Sequence, residues 1–147
     1  MQIANGTLIL VVDGAKMLIF RNEGDEKYAV LSTLEHEETL NPRTSDQGSD
    51  APGRSFSSMD NRRSAYGDTD WHHQAQEKFA VGAAEKLRHV AQSETGSVVV
   101  IAPPRMLGTL RRHYGAAVEQ RVIAEIAKDL AGHVTEDISR AIAAYGA

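Results

Sequence analysis

Ser97-Val-Val-Val-Ile-Ala-Pro-Pro-Arg-Met-Leu-Gly-Thr-Leu-Arg-Arg112 decides the fold of this chain. Val98 to Ala102 is an unbroken apolar run rich in β-branched residues, the pattern of a strand buried on both faces of a sheet. Pro103-Pro104 ends that strand, because proline has no N–H to give the ladder, and Pro104 is tolerated in a first helical turn, where no N–H partner is needed. Met106, Leu107 and Leu110 then give the following helix an apolar stripe, and Arg105, Arg111 and Arg112 give it charge. A buried strand running straight into a helix is the mark of an α/β layer, and ligands collect at such strand ends.

Working outward, Thr7 to Val12 and Met17 to Phe20 are apolar runs separated by Asp13-Gly14-Ala15-Lys16, a strong hairpin signal. After a polar turn at Asn22 to Lys27, Tyr28 to Leu34 reads as a third strand, with Glu35 to Glu38 carrying it into solvent. Trp71 to Gln92 is predicted as a helix. Ala75, Phe79, Ala83, Leu87 and Ala91 repeat every four residues, Thr69 or Asp70 is available as a cap, and Gly96 as a stop. Gln120 to Leu130 is ambiguous: Val118, Val122, Ile126 and Leu130 have helical spacing, while Val122, Ala124 and Ile126 alternate as a strand would. Thr135 is expected to cap a last helix carrying Ile138, Ala141, Ile142 and Tyr145.

Residues 41–70 differ in kind, with three Gly, two Pro, six Ser and five Asp. Too little apolar surface is present to offset the entropy of ordering, so a long connecting loop is expected. At about 30 residues such a connection is more often functional or disordered than structural, so a mobile loop is expected.

The bounds are those of one ordinary globular domain: 147 residues, 41% apolar content and a formal charge of −4. That balance does not fit a strongly basic nucleic-acid binder or a disordered tail. The absence of cysteine removes disulfides and thiolate metal sites. The apolar run Leu8 to Val12 is too short for a signal peptide or a membrane span, so a cytoplasmic protein with no membrane partner is expected.

Several stretches resemble the bacterial host attachment protein family. They are Val11-Val12-Asp13-Gly14-Ala15-Lys16, Asp50-Ala51-Pro52-Gly53-Arg54-Ser55-Phe56, Phe79-Ala80, Ala102-Pro103-Pro104-Arg105-Met106-Leu107-Gly108 with Leu110-Arg111, and Lys128-Asp129-Leu130. The resemblance implies a fold similar to the middle domain of archaeal and eukaryotic class-1 release factors and of Pelota. That fold is a single-domain, ribonuclease H-like mixed sheet of five strands: three antiparallel strands, a long loop, then α-β-α-β-α. By this analogy Arg121 to Ala127 is the fifth strand. In the release factors the loop before the long helix carries Gly-Gly-Gln, which reaches the peptidyl transferase centre. Here the matching loop has only Gln47-Gly48 and Pro52-Gly53-Arg54. The family name suggests host attachment, whereas the fold analogy suggests a non-catalytic module associated with the ribosome or structured RNA.

Candidate site residues carry competing readings. Asp13 ends the first strand, where ribonuclease H-like enzymes place a metal-binding carboxylate; with Glu77 or Glu85 and Asp129 it would build a two-metal hydrolytic site, whose divalent ions stand about 4 Å apart. It is equally the turn residue of an Asp-Gly hairpin. His72-His73 with Asp68 and Asp70 is a possible metal site or a solvated helix start. Arg54, Arg62 and Arg63 of the loop, with Arg105, Arg111, Arg112 and His113, could bind phosphate, since guanidinium forks match its geometry and the helix at Pro104 offers a positive end. Against this, the loop's five Asp outnumber its four Arg. Gly48 and Gly53 would permit close backbone approach. Trp71 either stacks on a base or pins the loop to the core. Ser55, Ser57 and Ser58 have no base or elbow motif to make a nucleophile. Three functions follow as expectations: a ribosome- or RNA-associated module without cofactor, a divalent-metal nuclease using Asp13, Glu77 and Asp129, or an adaptor whose loop 41–70 binds a protein.

Overall fold

A computed structural model describes residues 1–39 and 58–146, with 58–72 as backbone. Its centre is β1 (Leu8–Val12), all five residues of which are buried. Both edges of β1 are paired. The Asp13-Gly14 turn leads into β2 (Lys16–Asn22), antiparallel from Val12↔Met17 to Leu8↔Arg21. On the other side β4 (Val98–Ala102) runs parallel, from Leu8↔Val98 to Val11↔Ile101. β3 (Leu31–Glu38) pairs antiparallel with β2, and β5 (Val122–Ala127) parallel with β4. The order is β3-β2-β1-β4-β5.

The apolar runs of β1 and β4 have no polar side because both faces of the sheet are covered. Leu8, Leu10, Val12, Val98, Val100 and Ala102 pack against α1 (Ser58–Ala91) and α2 (Pro104–His113). Ile9, Val11, Val99 and Ile101 pack on the opposite face with Ile138 and Ile142 of α4 (Thr135–Ala144). The result is a three-layer α/β domain. Where β1 and β4 begin, Gly96 lies against the carbonyl of Gly6, so that any Cβ at 96 would land on backbone.

Four expectations change. First, β3 occupies 31–38 rather than 28–34. Residues 23–30 form a turn organised by side chains, in which Asp25 Oδ1 accepts from the N–H groups of Lys27 and Tyr28 at 3.0 and 2.8 Å. The ladder then continues through Glu35 to Glu38, since an edge strand needs backbone pairing and not burial. Second, α1 begins at Ser58, not Trp71. Its described core residues, Ala80, Ala83, Ala84, Leu87, Val90 and Ala91, all lie in its second half. Adding a residue to a helix already nucleated is cheap, so the helix extends through polar sequence without an apolar stripe. Thr69 and Asp70 are therefore interior positions, and of the expected loop 41–70 only 58–70 are described.

Third, a short helix α3 (Ala116–Glu119) follows Gly115, whose φ of +84° breaks the chain direction after α2 at little steric cost. Fourth, α4 is preceded by extended Val134, and Thr135 is its first helical residue, making no side-chain cap. Among the described residues no helix is long and apolar enough to cross a membrane.

Candidate functional site

Open α/β sheets bind ligands outside the carboxyl ends of their parallel strands, which here are β1, β4 and β5. Asp13 directly follows β1. Its Oδ1 accepts from the backbone N–H groups of Ala15 and Lys16, both at 2.7 Å, and its own N–H donates to the Lys16 carbonyl at 2.9 Å. The carboxylate thus organises the turn it begins. A Cβ on Gly14 would lie 2.8 Å from the side chain of Gln76, so the hairpin turn sits directly on α1. β4 ends in Pro103, and Arg105 follows in the first turn of α2. Its Nε donates to Gln76 Oε1 at 3.4 Å. Gln76 thereby joins the end of β1 to the end of β4.

The seam between α1 and α2 is polar beyond that point. Glu77 stands 3.6 Å from the Arg112 guanidinium, which also donates to Thr109 Oγ1 at 3.3 Å. Asp129, past the end of β5, is exposed. Among the described residues no group of three His, Cys, Asp or Glu side chains could hold a metal ion. Asp13, Glu77 and Asp129 are thus not brought together as a ligand cluster. His73 is exposed on α1, and Nδ1 of His113 lies 3.0 Å from the Thr109 carbonyl. Trp71 lies five residues before Gln76 on α1, with its side chain outside the description. Gly48, Gly53 and Arg54 lie outside the described residues altogether.

Arg111 turns away from this end of the sheet. Its Nε and Nη2 donate to Glu125 Oε1 at 2.7 and 2.6 Å, and the buried Tyr114 hydroxyl donates to Glu125 Oε2 at 3.2 Å. The carboxylate bond and charge raise the Arg111 pKa, so its guanidinium keeps its charge at any pH that matters. Tyr114, 1% exposed, is raised well above its usual 10.0, by burial first and by Glu125 next. The folded chain therefore holds a proton that the unfolded chain releases, and stability present below pH 10 is lost progressively above it. Tyr114→Phe should remove that alkaline loss while lowering neutral stability by about 1 kcal/mol. Urea midpoints at pH 8 and pH 11 decide this: equal alkaline losses in both proteins would refute the assignment.

Sequence reasoning missed Gln76, whose neutral amide in a charged helix face gives no signal. It also missed the anchor at the far end of the sheet. There Arg121 donates from Nε to the Gly96 carbonyl at 2.8 Å and from Nη1 to the Ala91 carbonyl at 2.9 Å, holding the last residue of α1.

α1 completes the geometry. It enters β4 through a short connection, so it runs antiparallel to β4 and its N-terminal half lies at the carboxyl ends of β1 and β4. Gln76 marks that level, and the 18 residues before it span about 27 Å of helix.

An uncharacterized protein of Rickettsia prowazekii (strain Madrid E) is 30% identical over 73 residues, which are 50% of this chain and 49% of that protein. The match thus spans about half the length of that relative. The family model for bacterial archaeo-eukaryotic release factor family 12 matches residues 6–142, from the lead-in of β1 to the last core residue of α4. The chain belongs to the bacterial archaeo-eukaryotic release factor family 12.

Proposed function

We propose that this protein is a non-catalytic module that associates with the ribosome or with structured RNA, and that segment 41–70 is its reaching element. One observation carries the reading: the helix α1 is 34 residues long, its described core residues run from Ala80 to Ala91, and its N-terminal turns extend beyond the carboxyl ends of β1 and β4 toward that segment. Family membership supports it. So does the mixed five-stranded sheet of order β3-β2-β1-β4-β5, with β1 to β3 antiparallel and β4 and β5 parallel to β1.

Contact in this reading is made by Arg54, Arg62 and Arg63 from the reaching segment and by Arg105 at the base of the projection. Guanidinium groups bind phosphate through paired donors. In the same reading Gly48 and Gly53 let the backbone approach closely, and Trp71 stacks on a base. The chain has no Gly-Gly-Gln, so peptide release by a glutamine held between glycines and substrate is not part of the proposal.

Sedimentation with ribosomes from the protein's own cells tests it. Wild type should co-sediment at low salt and lose association as salt rises, because phosphate contacts release counterions. Deletion of residues 44–66, or the pair Arg54→Glu and Arg105→Glu, should lower co-sedimentation at least about tenfold. Undiminished sedimentation of both variants, or none by the wild type at either salt, overturns the reading.

A further inference from the structure

The sheet has two edge strands, β3 with eight residues and β5 with six, and among the described residues nothing pairs with the outer side of the longer one, β3. The ladder decides which backbone groups face outward. Thr39 donates to the Ala15 carbonyl at 2.8 Å, and Glu37 and Glu35 stand opposite Met17 and Ile19. Antiparallel alternation therefore aims the N–H and C=O of Glu35 and Glu37 at β2, and those of His36 and Glu38 away from it. Beyond the register shift between Ile19 and Phe20, Thr33 and Leu31 also turn outward.

The side chains on this edge and the turn that leads into it are divided. Tyr28 and Val30 of the turn and Leu34 of β3 are 69%, 57% and 36% exposed, half of the six exposed large apolar side chains among the described residues. Glu35, Glu37 and Glu38 follow, and only Glu35 has a described ion pair, with Lys86 at 3.7 Å. One end of the edge is apolar and the other acidic. Acids on an edge discourage indiscriminate pairing. They also select a partner.

We propose that the outer edge of β3 accepts an extended polypeptide segment of another protein as a sixth strand, with apolar residues against Val30 and Leu34 and basic residues against Glu37 and Glu38. The backbone provides affinity and the divided side chains provide specificity, as in other strand additions. Antiparallel addition puts the basic residues first in the partner. A second copy of this chain fits poorly, since antiparallel β3–β3 pairing sets Glu38 beside Leu31 and charge against apolar surface. Nucleic acid is repelled by the same acids. This contact is independent of the ribosome reading and uses none of its residues.

The test uses the full chain and a synthetic eight-residue peptide of three lysines followed by alternating valine and threonine. At saturation, amide exchange at Thr33, His36 and Glu38 should slow at least about tenfold, with Glu35 and Glu37 unchanged. The double variant Glu37→Lys with Glu38→Lys should weaken peptide binding at least about tenfold, and deletion of 44–66 should not affect it. A peptide N-methylated at alternate residues, which leaves the protein intact, should bind at least tenfold more weakly. Equal binding of the methylated peptide overturns strand addition. So do outward amides already protected in the free chain, a β3-dependent dimer in sedimentation, or no peptide binding at all.

Discussion

Asn22→Ala should destabilise the protein by about 3 kcal/mol and lower its melting temperature by roughly 6–12 °C. Asn22 is 0% exposed at the end of β2 and every polar atom of its side chain is used. Nδ2 donates to the carbonyls of Ile3, Ala4 and Asp25 at 3.0, 3.2 and 3.4 Å. Oδ1 accepts from the N–H groups of Gly24 and Val30 at 2.9 and 3.0 Å. One amide therefore ties the N-terminal segment to the β2–β3 turn. Alanine leaves several part-buried backbone groups unpaired, and each such group costs more than the net worth of the bond it loses. Asn22→Asp should be no better at neutral pH, because a carboxylate replaces the donor that faced three carbonyls. It should recover on acidification, when its oxygen gains a proton to donate. Urea unfolding at two pH values reads both. A loss under about 1 kcal/mol for Asn22→Ala would mean that water replaces the amide.

Arg121→Ala should cost about 2–3 kcal/mol, and the loss should be local in origin. The Arg121 guanidinium bridges the Ala91 carbonyl at the end of α1 and the Gly96 carbonyl before β4, and its charge complements the negative end of a 34-residue helix. Arg121→Lys keeps the charge but cannot fork to two carbonyls, so it should restore only part of the loss. Amide exchange across 92–97 should rise in both variants before global unfolding does. If exchange there is unchanged while stability falls, Arg121 acts through packing instead.

Much of the fold could be read from residues in order, for reasons visible at particular positions. Val98 to Ala102 matches β4 end to end because burial on both faces leaves no polar residue to confuse its limits. Asp13-Gly14 marks the hairpin because the aspartate carries its own turn bonds. β3 lies further along the chain than its apolar residues suggest because an edge strand is held by backbone pairing, and its acids carry no burial pattern. The start of α1 is not legible because residues 58–70 carry no apolar stripe in sequence.

Segment 120–130 was ambiguous for a physical reason. The register shifts between Val98 and Val99, so Val122 packs on the α1 side while Ala124 and Ile126 pack on the α4 side. Val118 also belongs to the α1 side and Leu130 to the α4 side. The four-residue spacing that resembles a helix is thus one turn of α3 followed by a bulged strand. Of the candidate site, Asp13 and Arg105 could be found by position. The glutamine that lies against Gly14 and accepts from Arg105 could not, because an amide on a polar helix announces no partner.

The pairing of β1 has a consequence for how the chain is made. Leu8 meets Arg21 on one edge but Val98 on the other, 90 residues further along the chain. The first edge can close within a hairpin, on the microsecond scale of such events. The second must wait until β4 has been synthesised, and closing so long a separation slows folding. For that interval Leu8-Ile9-Leu10-Val11-Val12, the most completely buried strand of the finished molecule together with β4, has an open apolar edge. Nascent-chain chaperones and aggregation compete for this stretch, and truncated chains ending before Val98 expose it permanently.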